Sequence, residues 1–251
     1  MSPPGASLRA ITRALPTCVK SIADTSDDGG DGGLVVRIGA HLSTWNRNDP
    51  FHHINSSAMR TILVEPQPRV YAQLRQLAHD RNRYSVINAA ACATDGEITF
   101  YSLNIDPLSG HATSSAAGGT RDHHGHIYQL ISQLASTSRE HITKHQSIVP
   151  ASWHVNLTDF IVPVRVPCYT LKSLLERASF ADHASTLAAD RLLVLTVDAE
   201  GEDDRILHGV DWSVYQPRLL VFEQAHINEW DRRVIQEAQG IVVSGRGPRQ
   251  Q

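Results

Sequence analysis

From Leu34 onward, short apolar runs rich in β-branched residues alternate with stretches whose apolar positions recur every three to four residues. Leu34–Ile38 (LVVRI) reads as a strand ending at Gly39, and Thr61–Val64 (TILV) as a second, ending at Glu65-Pro66. Val70–His79 follows as a helix, with Val70, Leu74 and Leu77 on one face. Tyr84–Ala89 predicts a third strand, and Glu97–Leu103 alternates like a fourth after the turn at Asp95-Gly96. Ser109–Gly119 is small and polar and reads as a long loop, whereas Ile127–Leu134 and Arg139–His145 read as helices. Val162–Val166 is a further strand, followed by a helix over Thr170–Arg177 that Thr170 is placed to cap. Leu192–Val197 (LLVLTV) predicts a fully buried strand, and Arg218–Phe222 another. A helix over Trp230–Ala238 and a strand at Ile241–Val243 complete the series.

Strands that alternate with helices argue an α/β fold built on a doubly wound, mostly parallel sheet. Such sheets bind ligands at the carboxyl ends of their strands. Gly39, Glu65, Asn88, Asp198 and Glu223 each fall just past a predicted strand, so these are the positions to watch.

The N-terminal residues have a different pattern. Met1–Ala23 carries Arg9, Arg13 and Lys20 but no acid, with Leu8, Ile11, Leu15 and Val19 spaced for one helical face. Two readings stand for residues 1–33: a disordered leader and linker, or an organelle-targeting segment. Asp27–Gly33 (DDGGDGG) has the composition of a flexible linker. Residues 34–251 then form one domain, with an insertion around 104–160. The chain of 251 residues has a net charge of −3, with 41% hydrophobic and 20% charged residues. That balance gives no electrostatic reason to expect nucleic acid as a partner. No apolar run reaches the ~18 residues of a membrane span. Cys18, Cys92 and Cys168 are odd in number and far apart, which argues against a disulfide scaffold or a CxxC zinc module and for a reducing, cytoplasmic setting.

Glu65 lies about 26 positions beyond Gly39, at the end of the second strand. A carboxylate there can accept both ribose hydroxyls of an adenosine cofactor. Pro66 and Pro68 stiffen the turn and leave few backbone donors to compete for that carboxylate. The second cluster is Thr196-Val-Asp-Ala-Glu-Gly-Glu-Asp-Asp204. Asp198 and Glu200 emerge at the sheet's edge, and alternation lets both face one crevice. Gly201 allows a sharp turn or close approach of a ligand. Glu202, Asp203 and Asp204 fall in the first turn of a helix, where acids complement the dipole. Asp198 and Glu200 are therefore the functional pair, as a general base, as acceptors for a cofactor amino group, or as ligands of a hard cation.

Val64-Glu-Pro-Gln-Pro68, Asn88-Ala-Ala90, Tyr169-Thr-Leu-Lys-Ser-Leu174, Val197-Asp-Ala-Glu-Gly201 with Ile206-Leu-His-Gly209, and Pro217 to Glu223 together resemble the FkbM family of S-adenosylmethionine-dependent methyltransferases. Ser136–His145 and Phe222–His226 are similar to further blocks of that family, and the resemblance runs from Leu34 to Ile227. It implies a Rossmann-like methyltransferase sheet, here with its closing antiparallel strand expected to be short or absent. It also implies S-adenosyl-L-methionine as cofactor, held by Gly39, Ala40, His41, Glu65, Pro66, Asn88, Ala89 and Asp198. Glu65 would meet the ribose, with Asn88 and Ala89 beside the adenine. Methyl transfer is an in-line displacement, so positioning dominates; Asp198, then Glu200 or His226, would take the acceptor's proton. The expected acceptor is a hydroxyl on a sugar or other small metabolite. In Val36-Arg-Ile-Gly-Ala-His-Leu-Ser-Thr44, Arg37 replaces the family's acid and Leu42-Ser43 stand where Asp-Gly is expected. A buried Arg37 requires a carboxylate partner, for which Asp198 and Glu200 are candidates.

A non-catalytic relative that keeps the fold and binds a metabolite is the main alternative, motivated by that altered loop. A nicotinamide oxidoreductase would need GxGxxG after the first strand, and only Gly39 is present. Asp198-Ala-Glu200 also matches the DxE of a metal-dependent glycosyltransferase, although the strand order suits that less. Fourteen histidines are conspicuous, but Asp122-His-His-Gly-His126 and the pair His141 and His145 read as surface groups without a full ligand set, so no metal is expected. An exposed sheet edge leaves self-association open.

Overall fold

The computed structural model describes residues 17, 21–22, 33–42, 59–109, 121–181, 192–199, 201–223 and 241–245. The helix expected over Trp230–Ala238 and nearly all of the loop Ser109–Gly119 lie outside them. In chain order the elements begin with β1 (Leu34–Ile38), β2 (Arg60–Val64), α1 (Pro68–Leu77), β3 (Tyr84–Ile87), β4 (Ala90–Ala91) and β5 (Gly96–Leu103). They continue with α2 (Arg121–Ile131), β6 (Ala135–Ser136), α3 (Arg139–Thr143), β7 (Ile161–Tyr169) and α4 (Leu171–Arg177). The last are β8 (Leu192–Val197), α5 (Asp203–His208), β9 (Leu219–Glu223) and β10 (Ile241–Gly245). Two compact units result, one comprising Met1–Gly96 with Pro167–Gln251 and the other Glu97–Val166.

The first unit holds a six-stranded sheet ordered β10-β9-β8-β1-β2-β3, with every neighbouring pair parallel. The expected α/β, doubly wound, Rossmann-like architecture is what the chain adopts. Ile241–Gly245 is the sixth parallel strand beside β9, and among the described residues this sheet has no antiparallel member. The strand order reverses direction between β1 and β8, which defines the crevice where ligands bind in such sheets.

β1, β2, β8 and β9 are largely apolar on both faces because both faces are covered. On one, Val36, Ile38, Ile62, Val64, Leu195, Val197, Leu220 and Phe222 pack with Leu171, Leu174 and Leu175 of α4 and Ile206 and Leu207 of α5. On the other, Val35, Val194, Leu219 and Val221 pack with Ile22 and Met59, and Leu63 with Val70 and Leu74 of α1. Ile22, within the segment read as leader or linker, is buried in this cluster. Helix α1 begins at Pro68, ahead of the apolar pattern, because a proline's fixed φ suits the first helical turn. Helix α4 is capped as expected: Thr170 Oγ1 accepts the N–H of Ser173 at 3.2 Å.

One cysteine expectation is corrected. Ala90–Ala91 pair with Cys168–Tyr169, which brings Cys92 within 5.7 Å (Cα–Cα) of Cys168, and the two form a disulfide across 76 positions. The spacing that spoke against pairing is irrelevant once strand pairing closes the loop.

The second unit has its own core, made by Leu103, Ile105, Leu108, Ile127, Ile131, Ile142, Trp153, Leu157 and Ile161. Within it β5 pairs antiparallel with β6, Tyr101 opposite Ser136. Gln146 straps its irregular part, donating to the Val155 carbonyl at 2.9 Å and accepting the Leu157 N–H at 2.7 Å.

Candidate functional site

The carboxyl ends of β1, β2 and β8 converge at the point where the strand order reverses. Gly39, directly after β1, has φ +70, in the left-handed region that favours glycine. A Cβ at Gly39 would overlap the carbonyl oxygen of Asp198, so the backbone crosses there only because no side chain is present. The N–H groups of Gly39 and Ala40 both donate to the Val64 carbonyl at 3.0 Å, and the Asp198 N–H donates to the Ile38 carbonyl at 3.1 Å. The turn is thus stitched to the strands on both sides. Its first two N–H groups serve that purpose.

Glu65 is buried, with 6% of its surface exposed. His41, held at φ 49, donates its N–H to Glu65 Oε2 at 3.0 Å, and Gln67 donates its N–H to Oε1 at 2.9 Å. The expectation that the prolines leave few competing donors is therefore overturned: Gln67, between them, has an N–H and uses it on this carboxylate. Burial pushes the Glu65 carboxyl up to about 7; the N–H groups of Gln67 and His41 and the charge of Arg37 pull it down, and Asp198 pushes it up. Asn88 Nδ2 donates to the carbonyls of Glu65 at 2.9 Å and Pro66 at 3.1 Å, which fixes the turn that carries the acid. Ala89, next to it, is fully buried, and Pro66 is half-buried.

Asp198 is exposed at the edge of the sheet. Beyond it the chain turns at Gly201, with φ +103, and Asp203 Oδ2 accepts the Ala199 N–H at 3.2 Å. Asp203 is buried, 2% exposed. It does more than complement a helix dipole: it holds the turn that presents Asp198. A carboxylate four residues past Ala199, across a glycine, was the available signal, and it was obscured by the run of neighbouring acids. Glu200 and His226 lie outside the described residues.

Arg37 is buried at 3% exposure, in register with Leu63 of β2 and Thr196 of β8. Glu65 is a carboxylate that feels its charge; of the two partners expected for it, Glu200 lies outside the described residues. Leu42 packs on the cluster formed by Ala40, Leu63, Val70 and Leu74, so the position where the resemblance expects an acid is apolar and turned inward. The rings of His141 and His145 stand 5.8 Å apart, and His141 Nδ1 lies 3.1 Å from Lys144 Nζ. Among the described residues no group of three or more His, Cys, Asp or Glu side chains could hold a metal ion.

The Methyltransferase FkbM domain family matches residues 37–239. The chain belongs to the FkbM methyltransferase family. No curated protein and no solved structure matches it. The FkbM match covers the converging strand ends, both carboxylate clusters and the whole of the second unit. No helix among the described residues is long and apolar enough to cross a membrane.

Proposed function

We propose that this FkbM domain transfers the methyl group of S-adenosylmethionine to a hydroxyl oxygen of a sugar or other small metabolite. The observation that carries the reading is Glu65: a buried carboxylate beside the reversal of strand order, each oxygen already oriented by one backbone N–H. Each carboxylate oxygen has two acceptor sites. One on each oxygen is left for a pair of neighbouring ribose hydroxyls, so this pair of acceptors fits a nucleoside. Asn88 and Ala89, with Pro66, would line the adenine. Gly39, Ala40 and His41 would border the methionine end. The cofactor supplies an electrophilic methyl group, and the chain has to align it with the acceptor oxygen. Asp198, exposed at the edge and held by the Asp203 turn, is the first choice to take the acceptor's proton, with Glu200 and His226 behind it. Residues 34–251 act as the methyltransferase domain in this reading, with acceptor specificity in Ser109–Pro150, within the insertion around 104–160.

Calorimetry with S-adenosylmethionine and with its demethylated product tests the cofactor. Binding that falls about 100-fold or more in Glu65→Ala is expected, since a charge-assisted pair of hydrogen bonds is lost. Failure of both ligands to bind the wild type at millimolar concentration refutes the proposal. The inward packing of Leu42 favours a second reading, a family member that binds a nucleoside without transferring methyl. Transfer of labelled methyl to any acceptor, abolished in Asp198→Asn, decides against it.

A further inference from the structure

Arg37 is a buried cation on the central strand of the sheet, and nothing in the proposed reaction yet uses it. Its register partner on β2 is Leu63, and Glu65 follows two residues later. The Glu65 N–H bonds to the Ile87 carbonyl, which continues the β2–β3 ladder past the end of β2. Side chains two apart on an extended strand share a face. Arg37, Leu63 and Glu65 therefore lie on one face, with Arg37 one rung before Glu65 on the neighbouring strand. The same holds on the other flank, where Arg37 is in register with Thr196 and Asp198 follows two residues on. The groups around Glu65 are thus Arg37 from β1, Asp198 beyond β8, and the loop residue His41, with main-chain donors from His41 and Gln67.

We propose that Arg37 is a positioning residue for nucleoside binding: from the sheet face that it shares with Glu65, its positive charge favours the ionised carboxylate, the form in which both oxygens accept ribose hydroxyls. This rests on the nucleoside reading given above. Without Arg37, Glu65 would face burial and the like charge of Asp198 with only two N–H groups in its favour, and both of the former favour the protonated acid. A protonated carboxyl turns one acceptor oxygen into a donor and loses the paired geometry.

The test is a carboxyl-carbon NMR titration of Glu65 in the ligand-free protein, paired with calorimetric binding of the demethylated cofactor product across pH. Arg37→Met and Arg37→Gln are expected to move the Glu65 midpoint upward by about one pH unit or more. At pH 7 they should weaken binding roughly five- to tenfold, with recovery at about pH 9. Arg37→Lys, which keeps the charge, should return the midpoint to within about half a unit of wild type. A folded Arg37→Met or Arg37→Gln with an unmoved midpoint overturns the role of Arg37 while leaving nucleoside binding intact. Wild-type protein that binds no nucleoside overturns the functional reading and this proposal together. If neither uncharged variant folds, Arg37→Lys decides: a midpoint raised by about a full unit overturns the proposal, and a retained one supports it.

Discussion

Glu65 and Asp203 are both buried acids close behind a parallel strand, and each accepts a backbone N–H. Their partners differ. Asp203 bonds to Ala199, within its own turn, so it closes a local loop. Glu65 takes one N–H from Gln67 in its own turn and another from His41, 24 positions away, so it joins the loops after two different strands. The first arrangement shapes a turn; the second ties two strand-end loops together beside the crevice. Burial of an acid is therefore not the mark of function here. What distinguishes Glu65 is that its charge is contested, with burial and Asp198 against it and Arg37 and two N–H groups for it.

The largest effect should come from a change that touches neither acid. Replacing both Cys92 and Cys168 by alanine opens a loop of 76 positions and should cost about 4 kcal/mol in denaturant unfolding under oxidising conditions. The pH midpoint of Glu65 should not move; a shift would mean that the disulfide and the Glu65 turn are coupled.

Next is the pH dependence of stability. Glu65 sits at about 7 in the folded chain against an ordinary 4.5, so the folded state holds that proton more tightly than the unfolded one. Its contribution is full below about pH 4.5 and is lost as pH rises through about 7, by about 3 kcal/mol in all. Glu65→Gln removes that slope, so wild type and variant should diverge between those pH values in urea titrations, with the glutamine form the more stable above pH 7. Parallel curves would mean that Glu65 is not the contested group described here.

Asp203→Ala should act in the opposite way. It removes a charged acceptor from a backbone donor, which costs about 2 kcal/mol. It should also loosen the turn behind Asp198 and lower any transfer rate, while the Glu65 titration stays in place. A shifted Glu65 midpoint in this variant would merge the two acids into one network.

The smallest effect belongs to His41→Gly. A non-glycine residue at φ 49 bears a cost of roughly 1 kcal/mol that glycine relieves, offset by the entropy of a more flexible unfolded chain. Thermal melts should change by no more than about that amount, and Glu65 should still receive its N–H. Cofactor binding that collapses in this variant would show that the imidazole itself contacts the ligand.

Much of the sheet could be read directly from the chain. β1 and β8 begin and end where their apolar runs do, because a strand covered on both faces is apolar at most positions, Arg37 and Thr196 apart. Helix ends were less legible: α2 starts at Arg121, six residues ahead of the apolar pattern at Ile127, since the polar turn Arg121–His126 has no periodic signal. Glu65 stood out through its place at a strand end. Asp203 did not, because a row of four acids around Gly201 hides which one turns inward.

The order of apolar runs and the Val64–Pro68 and Val197–Gly201 blocks are properties of the chain alone; the first determined the α/β class, and the blocks carried the family resemblance. The pairing of Cys92 with Cys168, the N–H groups that converge on Glu65, and the register of Arg37 with Leu63 and Thr196 were decided only by tertiary structure. All three depend on distant segments meeting in a particular register, and register is a long-range property that local composition does not encode.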